Sequence, residues 1–244
     1  MSQNIYDQGE FFENYIKLDR QTKGLDGAPE WRQLRAMLPE LKEAQVLDLG
    51  CGFGWFSRFA RSEGAAYVRG IDLSAKMLDN ARSMTSDDAI AYEKADLENL
   101  TLPEMQYDVV FSSLTFHYLV SLPRLVAETS KSLKRGGRLV FSCEHPLFTA
   151  PTTPNLVVDQ DTGRKAWQID AYQREGIRTR TWFVGGVQKQ HRTVGTYINL
   201  LLGSGFRLTD YVEWCPSEEE LVKNPGWEVE LIRPTFLLIG ATKD

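Results

Sequence analysis

The segment Val46-Leu47-Asp48-Leu49-Gly50-Cys51-Gly52-Phe53-Gly54-Trp55-Phe56-Ser57 constrains this chain more than any other. It reads as a short apolar strand, a tight glycine-rich turn and the start of a helix. Such a junction sets backbone N–H groups and a helix N-terminus beside one small ligand. Its glycines let the backbone bend and let a ligand approach with no Cβ in the way. A dinucleotide fingerprint of the form G-x-G-x-x-G needs its third glycine at position 55, which is Trp55 here. The glycines stand at Gly50, Gly52 and Gly54 instead, behind an acid at Asp48.

The residues that follow add acids at strand ends. After a helix over Trp55–Glu63, a second apolar run over 66–71 ends in Asp72. An acid in that position, about 20 residues past the glycines, can accept hydrogen bonds from ribose hydroxyls. Its alternative role is to cap a helix over Ala75–Met84, for which Ser74 is better placed. A third strand over Ala89–Lys94 leads into Asp96 and Leu97, and a fourth over Tyr107–Ser112 into Ser113. A helix over Leu122–Lys134 precedes a fifth strand over Gly137–Cys143. This alternation predicts a mostly parallel, doubly wound α/β sheet covered on both faces. Farther on, a helix near Thr193–Leu202 leads to strands over Phe206–Val212 and Pro234–Thr242. The link between these two, with a capped helical stretch over Ser217–Asn224, is short for a parallel crossover, so they are expected to pair antiparallel.

Together these pieces resemble the class I S-adenosylmethionine-dependent methyltransferases, in particular the small-molecule group that includes ubiquinone and menaquinone biosynthetic enzymes. The resemblance covers residues 44–145 and, more weakly, 193–244. It implies a seven-stranded Rossmann-like sheet in the order 3-2-1-4-5-7-6 and S-adenosylmethionine as the cofactor. It implies that Gly50, Gly52 and Gly54, with Cys51 among them, line the methionine and ribose part of that cofactor. Asp72, followed by Leu73, would hold the ribose. Asp96 would accept from the adenine amine, with Leu97 donating its N–H, unless Asp96 is an ordinary loop residue. Asp48 would either meet the cofactor's ammonium group or merely brace the loop. Ser112 and Ser113 match the place where the family closes on the methionine end, or are turn residues.

Composition narrows the acceptor. The net charge is -5 and no basic block is present, which disfavours nucleic acid and leaves a small molecule as the expected partner. No apolar run is long enough to cross a bilayer, and the first residues lack a secretory pattern. Cys51, Cys143 and Cys215 are scattered and odd in number, so neither a disulfide framework nor a metal site is expected. These features suit a cytoplasmic enzyme; nothing in them sets an oligomeric state.

The chain is expected to be a single domain over 1–244, with an N-terminal helical cap over 1–40 and an insertion over 146–190. The cap has helices over Phe11–Leu18 and Pro29–Met37, Pro29 suiting a first helical position. The insertion, absent from the group this chain resembles, carries a hairpin over Ile177–Val184 and Val187–His191 that turns at Gly185-Gly186. Both segments are candidates for an acceptor-site lid, with Tyr6, Phe11, Phe12, Tyr15, Trp167, Tyr172, Trp182 and Phe183 as its apolar surface. Arg174, Arg178, Arg180, Lys189 and Arg192 make the insertion basic, which suits either an acidic acceptor or a solvated face.

Methyl transfer asks for in-line positioning, and a base only where the accepting atom must lose a proton. Oxygen is the first expectation for that atom, then nitrogen or carbon. His145, at the end of the fifth strand, is the first candidate base and His191 the second. His117, just past the fourth strand, is read as pocket packing, a base, or neither. Two other readings remain. One is a nicotinamide-dependent oxidoreductase, disfavoured by Trp55 and the antiparallel ending; the other is a non-catalytic S-adenosylmethionine-binding protein.

Overall fold

The structure is a computed structural model that describes residues 3–244. Helices α1 (Gly9–Tyr15), α2 (Asp19–Thr22) and α3 (Trp31–Met37) come first. The next elements are β1 (Gln45–Leu49), α4 (Trp55–Ser62), β2 (Tyr67–Asp72), α5 (Ala75–Ser83), β3 (Ile90–Lys94), β4 (Tyr107–Ser113), α6 (Leu122–Ser132) and β5 (Leu133–Glu144). The insertion holds α7 (Pro146–Thr149), β6 (Leu156–Val158), β7 (Lys165–Trp167), β8 (Gly176–Trp182) and β9 (Val184–His191). Helix α8 (Val194–Gly203), β10 (Phe206–Glu213), α9 (Glu218–Lys223) and β11 (Phe236–Lys243) complete the chain.

Seven strands form one sheet in the order β10-β11-β5-β4-β1-β2-β3. The pairs among β1 to β5 are parallel, whereas β11 runs antiparallel to β5 and β10 antiparallel to β11. The expected fold and strand order are therefore present. From β1 the chain winds to β2 and β3 on one side, then returns to β4 and β5 on the other. That switch point leaves a crevice at the carboxyl ends of β1 and β4, where such sheets take their ligands.

Alternation along the central strands feeds two cores. Leu47 and Leu49 of β1 join Ile71, Val110 and Phe141 under α6 and α8. Val46 faces the other way, with Val68, Val109 and Phe111, against Trp31 and Leu34 of α3 and Phe56 and Ala60 of α4. Period-two alternation thus places Asp48 on the second face, at the rim of that core.

Several local expectations shift. The first helix stops at Tyr15, and Leu18 is extended (φ -63°, ψ 145°) before α2 begins. Pro29 lies ahead of α3, whose first residue is Trp31. Helix α6 ends at Ser132, earlier than expected, because Leu133 is already paired with Tyr107 of β4. The β8–β9 hairpin turns at Phe183 (φ 60°), between the paired Trp182 and Val184. Gly185 and Gly186 lie within β9, where the register slips between Arg180 and Trp182. They absorb a bulge, a place where a positive φ (83° at Gly186) costs glycine little.

The cap and the insertion close on one another. Ile5, Phe11 and Val187 form a buried cluster with Tyr6, Tyr15, Tyr118, Trp182 and Val184 packed against it. Asp7 fastens the cap to the sheet domain by accepting from Ser74 Oγ at 2.5 Å and from the Lys76 N–H at 3.2 Å, at the N-terminus of α5. Burial opposes the charge on Asp7, but the bonds from Ser74 and Lys76 outweigh it and hold its carboxyl below the usual range.

Candidate active site

The three glycines of the turn have different tasks. Gly50 (φ 77°) passes so close to Thr115 that a Cβ would lie 2.1 Å from its Oγ1. A Cβ on Gly54 (φ 70°) would meet the Tyr92 hydroxyl at 1.9 Å. Gly52 (φ 52°) faces open space: a Cβ there would have nothing within 4 Å. Gly50 and Gly52 line a cavity of about 540 Å³; Gly54, expected there as well, is turned to Tyr92 and does not.

Acidic side chains close in on that loop from the strand ends. Asp72 accepts from the Gly52 N–H at 2.9 Å through Oδ2 and from the Ser74 N–H at 2.8 Å through Oδ1. The N-cap of α5 is Ser74, whose Oγ accepts from the Met77 N–H, so Asp72 is not that cap. Asp48 Oδ2 accepts from Ser57 Oγ at 2.7 Å. Burial pushes the Asp48 carboxyl up to about 7, against the lowering effect of the Ser57 bond. Burial raises Asp72 too, although the Ser74 and Gly52 N–H bonds oppose it. Two desolvated carboxylates beside one loop favour a cationic ligand group there.

Asp96 and Leu97 reach the same cavity, as do Cys51, Leu73 and Ser113. Asp96 also accepts from the Glu98 N–H at 3.1 Å. Ser112 points the other way: it is fully buried, donates to the Leu49 carbonyl at 2.7 Å and does not line the cavity. Of the two serines expected at the ligand, only Ser113 reaches the cavity.

The histidines sort differently from the sequence-based order. His145 is turned away from the cavity, with Nε2 2.8 Å from Glu213 Oε1 and Nδ1 accepting from the Leu147 N–H. His191 is also off the cavity, its Nε2 donating to the Tyr172 carbonyl and its Nδ1 2.8 Å from Thr149 Oγ1. His145 ties the start of the insertion to Glu213 of β10, whereas His191 joins segments within the insertion. His117 is the histidine that lines the cavity. Burial, with Lys189 and Arg192 nearby, drives its pKa well below the ordinary value, so the ring is neutral. Its Nδ1 accepts from the Glu144 N–H at 3.2 Å, which leaves the proton on Nε2. In that state His117 presents a donor rather than a base.

Two polar groups beneath the packed cap and insertion carry more than the sequence suggested. Glu144, the last residue of β5, lines the cavity and pairs with Lys189 of β9. The Lys189 ammonium lies 4.9 Å from the Trp182 ring centre and 5.9 Å from that of Tyr118. Glu144 was missed because strand alternation fixes that residues 144 and 145 face opposite ways, not which of them faces the ligand. Tyr6, Tyr15, Trp182 and the Tyr118 hydroxyl partner of Tyr6 also border the cavity. Trp167, Tyr172 and Phe183 do not, and Phe12 packs near Phe53 instead. Arg178 and Arg180 border it, while Arg174 is exposed and Arg192 donates to the Leu119 and Val120 carbonyls.

The arrangement fits a sulfonium nucleoside: acids at three strand ends, a glycine open to the ligand, and a covered chamber of the size usual for ligand sites. No group of acidic, histidine or cysteine side chains suited to a metal ion occurs among the described residues.

Comparison with known proteins gives the same picture. A family model described as a methyltransferase domain matches residues 47–141. The crystal structure of an S-adenosylmethionine-dependent methyltransferase from Mesorhizobium loti is 48% identical, with a TM-score of 0.87, over 90% of this chain and 100% of that one. An uncharacterised protein of Haemophilus influenzae is 34% identical over 98% of this chain and 97% of its own length. A malonyl-[acyl-carrier protein] O-methyltransferase of Enterobacter lignolyticus is 38% identical over 55% of this chain and 48% of its own, so the likeness spans about half of that relative.

Proposed function

The chain belongs to the S-adenosylmethionine-dependent methyltransferases, and from that premise we propose that it methylates an oxygen atom of a small-molecule acceptor held under the lid. The observation that carries this reading is a cavity that joins the glycine turn and the acidic strand ends to the aromatic lid. Oxygen is favoured by the O-methyltransferase that matches the nucleotide-binding half.

In this reading Asp72 accepts from the ribose hydroxyls with the lone pairs that Gly52 and Ser74 leave over. Asp96 and Leu97 hold the adenine edge. Gly50, Cys51, Gly52, Leu73 and Ser113 surround the remainder, with Asp48 toward the ammonium group. The bound cofactor supplies an electrophilic methyl group on a sulfonium, already a good leaving group. What the protein adds is position and dryness: holding acceptor and methyl in line converts a bimolecular encounter into an effectively unimolecular one. The cluster of Phe11, Tyr6 and Trp182 keeps water from the chamber.

Release of S-adenosylhomocysteine, assayed across alcohols, phenols, carboxylic acids and amines, tests the reading; turnover confined to amines would replace oxygen by nitrogen. Asp48 adds a pH signature. A carboxyl lifted to about 7 is largely protonated below neutrality, and an ammonium beside it favours the ionised form. Binding therefore releases a proton, and affinity for S-adenosylhomocysteine is expected to rise about tenfold from pH 5.5 to 7, an increase that Asp48→Asn removes. Calorimetric titration in two buffers of different ionisation heat measures both. The same raised carboxyl stabilises the ligand-free protein at acidic pH, and this contribution is lost as pH rises through about 7.

A further inference from the structure

We propose that Glu144 accepts the proton of the acceptor's hydroxyl group, so that the acceptor is an alcohol or phenol and not a carboxylate. This rests on the O-methylation reading above. The Glu144 side chain is only 12% exposed, and its Oε1 is occupied by Lys189. Its Oε2 is buried and has no hydrogen-bond partner. A buried carboxylate oxygen left without a donor is costly, and a ligand that brings a donor removes the cost.

Asn4 and Gln21 of the N-terminal cap also line the cavity, each with a buried, unpartnered amide oxygen, but an amide oxygen is too weak a base to take up a proton. His117 offers an N–H and no lone pair, since its Nδ1 is taken by the Glu144 N–H. The Tyr6 hydroxyl donates to that of Tyr118 at 3.1 Å. Arg178 donates to the Ala150, Ala171 and Arg174 carbonyls, and Arg180 to those of Thr149, Pro151 and Thr152. These guanidinium groups brace the insertion, whereas Glu144 lines the chamber and keeps one buried carboxylate oxygen without a partner. The groove around it is aromatic, with Tyr6, Tyr118, Phe148 and Trp182 on its walls.

Atoms and charges balance in this step. A lone pair of the acceptor oxygen forms the new bond to the methyl carbon, and the carbon–sulfur bond breaks with its electron pair left on sulfur. The O–H proton passes to Glu144 Oε2. The products are a methyl ether and S-adenosylhomocysteine, and Glu144 returns its proton to solvent when the lid opens. Lys189 is the positioning residue that fixes the carboxylate through its other oxygen. A carboxylate acceptor, by contrast, brings a second anion against Glu144 and has no proton to give.

Calorimetric titration of the S-adenosylhomocysteine-loaded protein with phenol and with benzoate tests this. Phenol is expected to bind at least tenfold more tightly than benzoate, and Glu144→Gln to erase that preference. Because Glu144→Gln strands the Lys189 ammonium, the double variant E144Q/K189M, which removes both charges, is measured beside it and is expected to lose the preference equally. With S-adenosylmethionine, phenol methylation is expected to fall at least a hundredfold in both variants. Equal binding of the two probes to the wild type, no phenol binding, methylation of benzoate in preference to phenol, or an unchanged preference in E144Q/K189M overturns the proposal. Failure of S-adenosylhomocysteine itself to bind would instead overturn the reading on which the proposal rests.

Discussion

Alanine in place of Asp72 is expected to weaken S-adenosylhomocysteine binding by about 1–3 kcal/mol, roughly five- to 150-fold. The carboxylate has two tasks in the ligand-free protein, holding the Gly52 N–H at 2.9 Å and the Ser74 N–H at 2.8 Å. A carboxylate has about four lone-pair sites, so two remain for ribose hydroxyls. Alanine removes the ligand bonds and also unties the glycine turn, and both losses act in the same direction. Thermal unfolding measured alongside the titration separates them, since a loop effect alone moves the melting temperature with affinity. Unchanged affinity would take Asp72 out of the site.

Phe11→Ala is expected to cost about 3–5 kcal/mol, the range for emptying a fully buried aromatic site. Phe11 joins the N-terminal cap to the β8–β9 hairpin: its ring meets Tyr6 edge-on at 5.1 Å and Trp182 edge-on at 5.3 Å. Phe11 packs in a satellite cluster and is absent from both sheet cores, so the loss is expected to appear as local opening. Hydrogen exchange should show residues 5–16 and 176–191 losing protection together while β1, β4 and β5 keep theirs. Turnover should fall far more than cofactor affinity. Uniform loss of protection across the sheet would show that the cover is part of the main core.

How much of this was legible beforehand follows from which interactions are local. The strand–turn–helix at Gly50–Gly54, the acid ending β2 and the alternation of strands with helices are short-range signals, and the sheet follows them closely. The antiparallel end of the sheet was expected from its connection, yet residues 214–235, with α9 among them, are long enough for a parallel crossover too, so length alone did not decide it. The side-chain assignments at strand ends were not legible, because they depend on which face the neighbouring elements bury. Ser112 and Ser113 are adjacent and only Ser113 reaches the cavity; Glu144 and His145 divide the same way, with the histidine drawn to Glu213. The N–H of Glu144 also decides the tautomer of His117, a bond between residues 27 apart that no motif reports. Gly185-Gly186 misled for a related reason: glycine marks a positive φ, and a bulge satisfies that as well as a turn does.

The most direct test of the whole account is a crystal structure of the protein with S-adenosylhomocysteine bound. It is expected to place the ribose hydroxyls on the Asp72 carboxylate, the adenine beside Asp96 and Leu97, and the sulfur facing the chamber that Glu144 and Trp182 enclose. A nucleoside seated elsewhere, or a sulfur directed away from Glu144 with the ribose out of reach of Asp72, would contradict it.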